Sequence, residues 1–464
     1  MKTDRTIEKF ILSATLVLLL LGVLALPVLA EIDLGSFAGK VDTSVGTTPT
    51  DVALGDLDGD GKLDVAVSNN GSGNLSVLLN TSTPGAIAFS STIVTLTVTA
   101  PRGIVIGDLD GDGKRDIAVA NYSAGAGTTI SVFTNTSTLG NLSFESAQTF
   151  AVGTGPIILA IGDLNGDGKL DLVTSNWGTN GAGTTLSVLR NTSASSILGF
   201  VLDATLTTNQ GPVGVTIGNI NGDALPDIVV ANYGNNLGNG STLSVLPNTT
   251  SGTPISFGAK VDSTTGGGPY DIALGDMDGD LDLDVAVTQY GTSGAGAMVS
   301  IFQNSGGTLA ATATLTGTTG NGPYRIIVGD VDQDGKPEIA TSNFQNGSGS
   351  TVSVLRNVSS SGTISFTTNV DFNTQNGPRG LAFGDIDAPS RRDLVVTNGG
   401  SASFSVLRNT TSAPTAVGLV SLTGEARAFN LFESVARFAD HALGILGAVI
   451  LVMIGWIVLR AKRR

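Results

Sequence analysis

Apolar runs of about six residues recur along the chain, cut by turns rich in Gly, Asn, Asp and Pro. One cycle begins with a turn holding Pro and a run such as "DIALGD", followed by an acidic loop. A run such as "DVAVSN" comes next, then a Gly/Asn-rich loop and a run such as "LSVLLN". A polar turn leads to a last run that often starts with Phe, as in "SFGAKVDS". Short runs of this kind between turn residues read as strands, and four per cycle is the unit of a propeller blade.

The acidic loop sets the period. It starts at Asp56, Asp108, Asp163, Asn219, Asp276, Asp330 and Asp385, at intervals of 52 to 57 residues. A spacing this constant signals a repeat architecture. First, second and third strands each number seven, the third running from "LSVLLN" (75–80) through "ISVFTN" (130–135) to "FSVLRN" (404–409). Fourth strands are offset: "SFAGKVDT" (36–43) precedes the first loop and none follows "FSVLRN". The expected fold is therefore an all-β, seven-bladed β-propeller over residues 31–412. Its N-terminal strand completes the last blade and removes the open edges.

The two ends follow another pattern. Lys2, Arg5 and Lys9 precede an apolar run over 11–26, and Val28 and Ala30 stand where small residues precede a signal-peptidase cut. Residues 1–30 read as a signal peptide. Residues 442–459 form an uncharged apolar run of 18 residues, roughly 27 Å as a helix and close to the thickness of a bilayer core. Residues 460–464 carry Arg460, Lys462, Arg463 and Arg464, a basic stop that stays on the cytoplasmic side. Residues 413–441 read as a juxtamembrane segment, partly helical, with Phe429, Phe432, Val435 and Phe438 near helical spacing. The expected location is the cell envelope, in a single-pass protein with the propeller outside.

Composition narrows the chemistry. With no cysteine there is no disulfide framework, thiol nucleophile or thiolate metal site. The only histidine, His441, lies beside the expected membrane segment, so His-based acid–base catalysis is not expected in the main domain. A net charge of −15 argues against nucleic acid as a partner. Well over half of the chain's 39 acidic residues sit in the seven loops, where they would repel one another without a cation.

"GDLDGDGKLD" (55–64) resembles the first half of an EF-hand loop. Asp56, Asp58 and Asp60 supply carboxylates at positions 1, 3 and 5, Gly61 makes the sharp turn, and the carbonyl of Lys62 adds a ligand. Asp64 at position 9 opens the next strand and is expected to close the cage with both oxygens. The second loop repeats this set as Asp108, Asp110, Asp112, Lys114 and Asp116, and the third as Asp163, Asn165, Asp167, Lys169 and Asp171. The fifth has Asp276, Asp278, Asp280 and Asp284, with Leu281 replacing the glycine, and the sixth Asp330, Asp332, Asp334 and Glu338. The fourth, Asn219, Asn221, Asp223 and Asp227, is a weaker candidate with two charges. The seventh, "DIDAPSRRD", has Pro389 at position 5 and is expected to be empty, with Arg391 and Arg392 replacing the ion's charge. Hard oxygen donors in this number suit Ca²⁺, in four to six sites, and the ion is expected to stiffen the blades.

These repeats resemble the FG-GAP/VCBS family, which includes the propeller head of integrin alpha chains and many microbial surface proteins. The resemblance covers roughly residues 36–412. It implies a seven-bladed propeller with calcium between the first and second strands of a blade. The fold hosts adhesins, lectin-like binders and some lyases, so it does not fix function.

Alternate loops of a four-stranded meander fall on opposite faces. The face away from the acidic loops carries Tyr122, Trp177, Tyr233, Tyr290 and Phe344 after the second strands, and Tyr270 and Tyr324 beside the blade-to-blade prolines. Arg102, Arg325 and Arg379 stand nearby. Two roles are open for this set: a surface for a protein or glycan partner, as the integrin resemblance implies, or packing where the blades converge. Twelve N-x-S/T sequons occur, including Asn80, Asn135, Asn191, Asn248, Asn357 and Asn409 at the ends of third strands, where turn chemistry alone accounts for asparagine. The function read from these features is a membrane-anchored, calcium-binding adhesion or ligand-binding module and not an enzyme. A lyase-like carbohydrate-active propeller and a passive structural envelope protein are the alternatives.

Overall fold

The computed structural model describes residues 32, 36–387 and 391–411. The expected signal peptide, juxtamembrane segment and transmembrane helix lie outside the described residues. Among the described residues, no helix is long and apolar enough to cross a membrane.

Seven four-stranded antiparallel sheets make up the described chain. The first strand, β1 (Phe37–Ser44), does not begin a blade. It pairs with the last strand, Ser403–Asn409, from Phe37 opposite Asn409 to Ser44 opposite Ser403. The expected closure by the N-terminal strand is therefore what the structure shows, and the last blade joins the two ends of the propeller. Blade one is built from β2 (Pro49–Gly55), β3 (Asp64–Asn69), β4 (Asn74–Asn80) and β5 (Phe89–Thr97), in that order.

Each blade's first strand opens on a proline, Pro49 in blade one and Pro378 in blade seven. A strand's first residue is one of the few ladder positions that tolerates a missing N–H. Second strands are buried along their whole length, as in β3 and Asp227–Asn232. They lack the polar–apolar alternation of a half-exposed strand because neighbouring blades cover both faces of the sheet. Leu57, Ala66 and Val77 of blade one, for example, pack with Ile104, Ile117 and Phe133 of blade two. Outer strands such as β5 alternate instead, with one side in water.

Candidate metal centres and the opposite face

The acidic loops owe their shape to two left-handed residues. In blade one these are Gly59 (φ 83°) and Gly61 (φ 86°), positions 4 and 6 of the loop. Glycine adopts such angles without steric cost. The two carboxylate oxygens of Asp56 accept from the amides of Gly59 (2.8 Å) and Gly61 (3.0 Å). Asp58 accepts from Asp60 N, and Asp60 from Lys62 N. The turn is tied by its own aspartates, so the sequence places carboxylates together before any ion arrives.

Positions 1, 3 and 9 converge. One oxygen from each of Asp56, Asp58 and Asp64 lies within 4.8 Å of the others. The same triad forms from Asp108, Asp110 and Asp116, from Asp276, Asp278 and Asp284, and from Asp330, Asp332 and Glu338. It also forms from Asp385, Asp387 and Asp393. Asp60, Asp112, Asp280 and Asp334 at position 5 are outside these triads, and Lys62 Nζ lies 3.6 Å from Asp60. Loss of position 5 at Pro389, which is outside the described residues, therefore does not dismantle the seventh triad. Arg408 stands beside that triad, its Nε donating to Asp387.

Position 9 is the buried anchor. Asp64 has no exposed surface, and its two oxygens accept from Leu57 N (2.9 Å) and Asn80 N (2.8 Å). Both oxygens are thus engaged by amides, and the carboxylate takes part in the triad. Burial pushes this carboxyl up to about 6, further helped by Asp58 and Asp60 and opposed by the two amides. Asp116, Asp171, Asp284 and Asp393 are raised to about 6 for the same first reason, and Glu338 to about 8. A buried acid whose charged form is disfavoured, set beside two further carboxylates, suits a hard divalent cation.

The remaining loops keep the turn. In the third, Asp163 accepts from Gly166 and Gly168, Asn165 Nδ2 donates to Asp167, and Asp171 accepts from Leu164 and Asn191. In the fourth, Asn219 accepts from Gly222, Asn221 Nδ2 donates to Asp223 (2.9 Å), and Asp227 accepts from Ile220 and Asn248. An amide–carboxylate contact replaces one acid–acid repulsion there. In the fifth, Leu281 takes the glycine's conformation (φ 77°), almost fully exposed. The position-7 lysines do more than offer a carbonyl: Lys114 Nζ and Lys169 Nζ donate to the carbonyls of Ser137 and Ser193.

One set of residues was underestimated from the sequence. Every third strand ends in, or is followed two residues later by, an asparagine that is no more than 2% exposed: Asn80, Asn135, Asn191, Asn248, Asn304, Asn357 and Asn409. The Asn135 side chain donates to Arg115 O in its own blade and to Leu57 O in the acidic loop of blade one, both at 2.8 Å. Its own oxygen accepts from Ser137 N. Asn409 repeats this with Arg392 O and Val331 O, and Asn80 with Leu63 O and Ile386 O across the junction of blades one and seven. These asparagines strap each acidic loop to the next blade, so turn chemistry is only part of their role. Six of them lie in sequons, but a side chain this buried is closed to glycosylation in the folded protein. The signal lay in the recurrence of asparagine at one register of all seven blades.

The opposite face gathers the predicted aromatics into an arc over blades two to six. Tyr122, Tyr233, Tyr270, Tyr290, Tyr324 and Phe344 are each less than 9% exposed, and Trp177 is partly buried. Ring centroids are 4.2 Å apart for Tyr270 and Tyr324, 5.0 Å for Tyr324 and Phe344, 5.3 Å for Tyr233 and Tyr270, and 6.1 Å for Tyr122 and Trp177. Arg102 covers Tyr122 at 4.7 Å and donates to the Tyr324 hydroxyl, while Arg379 covers Phe344 at 4.4 Å. Arg325 is consumed by ion pairs to Asp51 (2.7 Å) and Asp271 (3.3 Å). Burial pushes the Tyr324 phenol up, but Arg102, Arg379, the hydrogen bond from Tyr270 and Arg325 together hold the group below its ordinary value. Of the two roles left open by the sequence, the side-chain geometry is that of packing, with the rings set against one another in tilted and edge-to-face pairs.

Comparisons agree with this architecture. The family model for the FG-GAP-like repeat matches residues 56–119, 108–174, 219–287 and 282–341, together more than half of the chain. No curated protein matches the chain. Among solved structures, BBS1N in complex with ARL6DN, soaked with mercury, is 14% identical, covering 84% of this chain and 99% of that one, with a TM-score of 0.51. The same complex soaked with lead is 13% identical, with 83% and 100% covered and a TM-score of 0.53. At these identities the likeness is one of fold. Seven blades, the recurring acidic loop and the family match lead to one conclusion: the chain belongs to the FG-GAP-like repeat family.

Proposed function

We propose that the chain is a binding or adhesion module whose propeller faces outward from a membrane anchor and is stiffened by calcium. The observation that carries this reading is the convergence of positions 1, 3 and 9 on one point in five blades, each with a position-9 acid that has no exposed surface. Hard oxygen donors of this kind are suited to Ca²⁺, which would be held by Asp56, Asp58 and Asp64 in blade one and by the matching triads of blades two and five. The ion would cancel the repulsion among carboxylates that the fold has already gathered. Nothing in this role asks the metal to activate a substrate.

The anchor rests on the apolar run over 442–459 and the basic residues after it. The partner class is a surface protein or a glycan. A protein partner has support from the BBS1N propellers, solved in complex with ARL6DN. A binder is favoured over a lyase-like enzyme because the phenols that would serve as bases are packed against one another and against arginines. A glycan and surface-protein binding screen of the full chain in detergent, with and without calcium, tests the reading. Calcium-dependent capture supports it; turnover of an acidic polysaccharide lost in Tyr324→Phe would replace it with the enzyme.

A further inference from the structure

The seven acidic loops are not neutralised in the same way, and the difference comes from one position on the third strand. The residue just before the strap asparagine is Leu79, Thr134, Arg190, Pro247, Gln303, Arg356 and Arg408 in blades one to seven. In blade six, Arg356 Nε donates to Asp332 at 2.8 Å, and its Nη2 lies 3.4 Å from Asp334. The arginine side chain is 9% exposed and Asp332 is not exposed at all. In blade seven, Arg408 pairs with Asp387 in the same manner, with its side chain more open. Both guanidinium groups engage position 3, a member of the carboxylate triad.

The other blades show that the contact follows charge. In blade three, position 3 is the neutral Asn165, and Arg190 turns away to pair with Asp203 at 2.7 Å. In blade five, Gln303 Nε2 donates to Asp278 at 2.6 Å, which satisfies an oxygen but brings no charge. In blades one and two the position holds Leu79 and Thr134, which carry no charge. Asp58 instead accepts from the amide of Gly140 in blade two.

We propose that in blades six and seven the third-strand arginine is the resident cation of the acidic loop, so that these loops hold their shape without calcium while blades one and two require the ion. The inference rests on the calcium reading for blades one and two. In blade six the enclosed guanidinium replaces part of the ion's charge at a fixed distance, and a calcium ion there would have to displace it or be repelled by it.

Flow dialysis of ⁴⁵Ca²⁺ on the full chain in detergent, counting ions bound per chain, tests this. Asp56→Asn and Asp108→Asn are each expected to remove one bound calcium, whereas Asp330→Asn and Asp385→Asn remove none. Arg356→Gln is expected to add one calcium, which Asp330→Asn then removes from the double variant. Loss of one ion from the wild type on Asp330→Asn overturns the proposal, as does an unchanged count in folded Arg356→Gln. If Asp56→Asn and Asp108→Asn change nothing, the calcium reading of those blades fails, and the gain or absence of an ion in Arg356→Gln still decides the role of the arginine. Because Asp330→Asn leaves the arginine in place, its ion count discriminates even if Arg356→Gln does not fold.

Discussion

The two faces of the propeller are built on opposite principles. The acidic face repeats one device around the ring: a turn anchored by a buried acid and strapped to the next blade by an asparagine, which draws three carboxylates together in five blades. The other face changes from blade to blade. Its aromatics run from Tyr122 to Phe344 and stop, with Arg102 and Arg379 lying over the rings at the two ends. The acidic face concentrates charge, which in the proposed reading a cation from outside or from the chain would offset. The aromatic face supplies its own partners, with Arg325 held between Asp51 and Asp271. A repeated device reads as scaffold, whereas a feature that varies around the ring is where individual recognition can arise.

The largest effect that would sharpen this contrast is at Arg325. Arg325→Met leaves Asp51 and Asp271 buried without their cation, and removing one partner of a buried pair costs about 3–5 kcal/mol. Calcium is expected not to restore the loss, which urea unfolding of the full chain in detergent with and without the ion would show.

The strap comes next. Asn135→Ala leaves Leu57 O, Arg115 O and Ser137 N without their partner. With each unsatisfied buried group worth about 1–3 kcal/mol and partial relaxation by water, a loss of about 3 kcal/mol is expected in the same assay. A loss below about 1 kcal/mol, the worth of an ordinary single hydrogen bond, would show that the strap does not hold the blades together.

The acidic face should also answer to pH in a way the aromatic face does not. The position-9 acids Asp64, Asp116, Asp171, Asp284 and Asp393 are raised from 3.8 to about 6, and Glu338 from 4.5 to about 8. Folding therefore favours their protonated forms. In chelator, the stabilisation they give is present below about pH 4 and is lost as pH rises through about 6, with Glu338 extending the loss to about 8. Other acids impose their own slope at low pH, so the decisive comparison is the midpoint at pH 5 against pH 8. Chelated protein is expected to be less stable at pH 8, and calcium to reduce or reverse that difference.

The smallest effect concerns the fifth loop. Leu281 holds a left-handed angle that costs a non-glycine residue about 1–2 kcal/mol. It is almost fully exposed, so no packing opposes replacement. Leu281→Gly is expected to stabilise the protein by about 1 kcal/mol, the lower end of that range, offset by glycine's entropy when unfolded. Destabilisation would mean that the leucine makes a contact on that face.

Most of the fold was legible from the chain. The offset fourth strand at 36–43 gave away the closure, and the acidic loops marked the blades. The site was legible by spacing, but only in part. Asp60 and Asp112 looked equivalent to their neighbours, yet the turn points positions 1, 3 and 9 inward and leaves position 5 outside the triad. Asn135 was visible only as a turn residue because its partner, Leu57, lies in another blade far away in sequence. Arg356 and Arg408 were hidden for a similar reason: each acts on a loop in its own blade but from a different strand. Burial of the tyrosines could not be read from composition, since the same residues on an open rim would give the same sequence pattern.

The central claim is that calcium holds the acidic face together. Thermal unfolding of the full chain in detergent, in millimolar calcium and then in excess chelator, tests it most directly. An ion that binds only the folded state adds about 2.7 kcal/mol per site at a hundredfold excess over its Kd. Several sites together predict a large drop in Tm on chelation, restored by calcium and not by magnesium. An unchanged Tm would contradict the account.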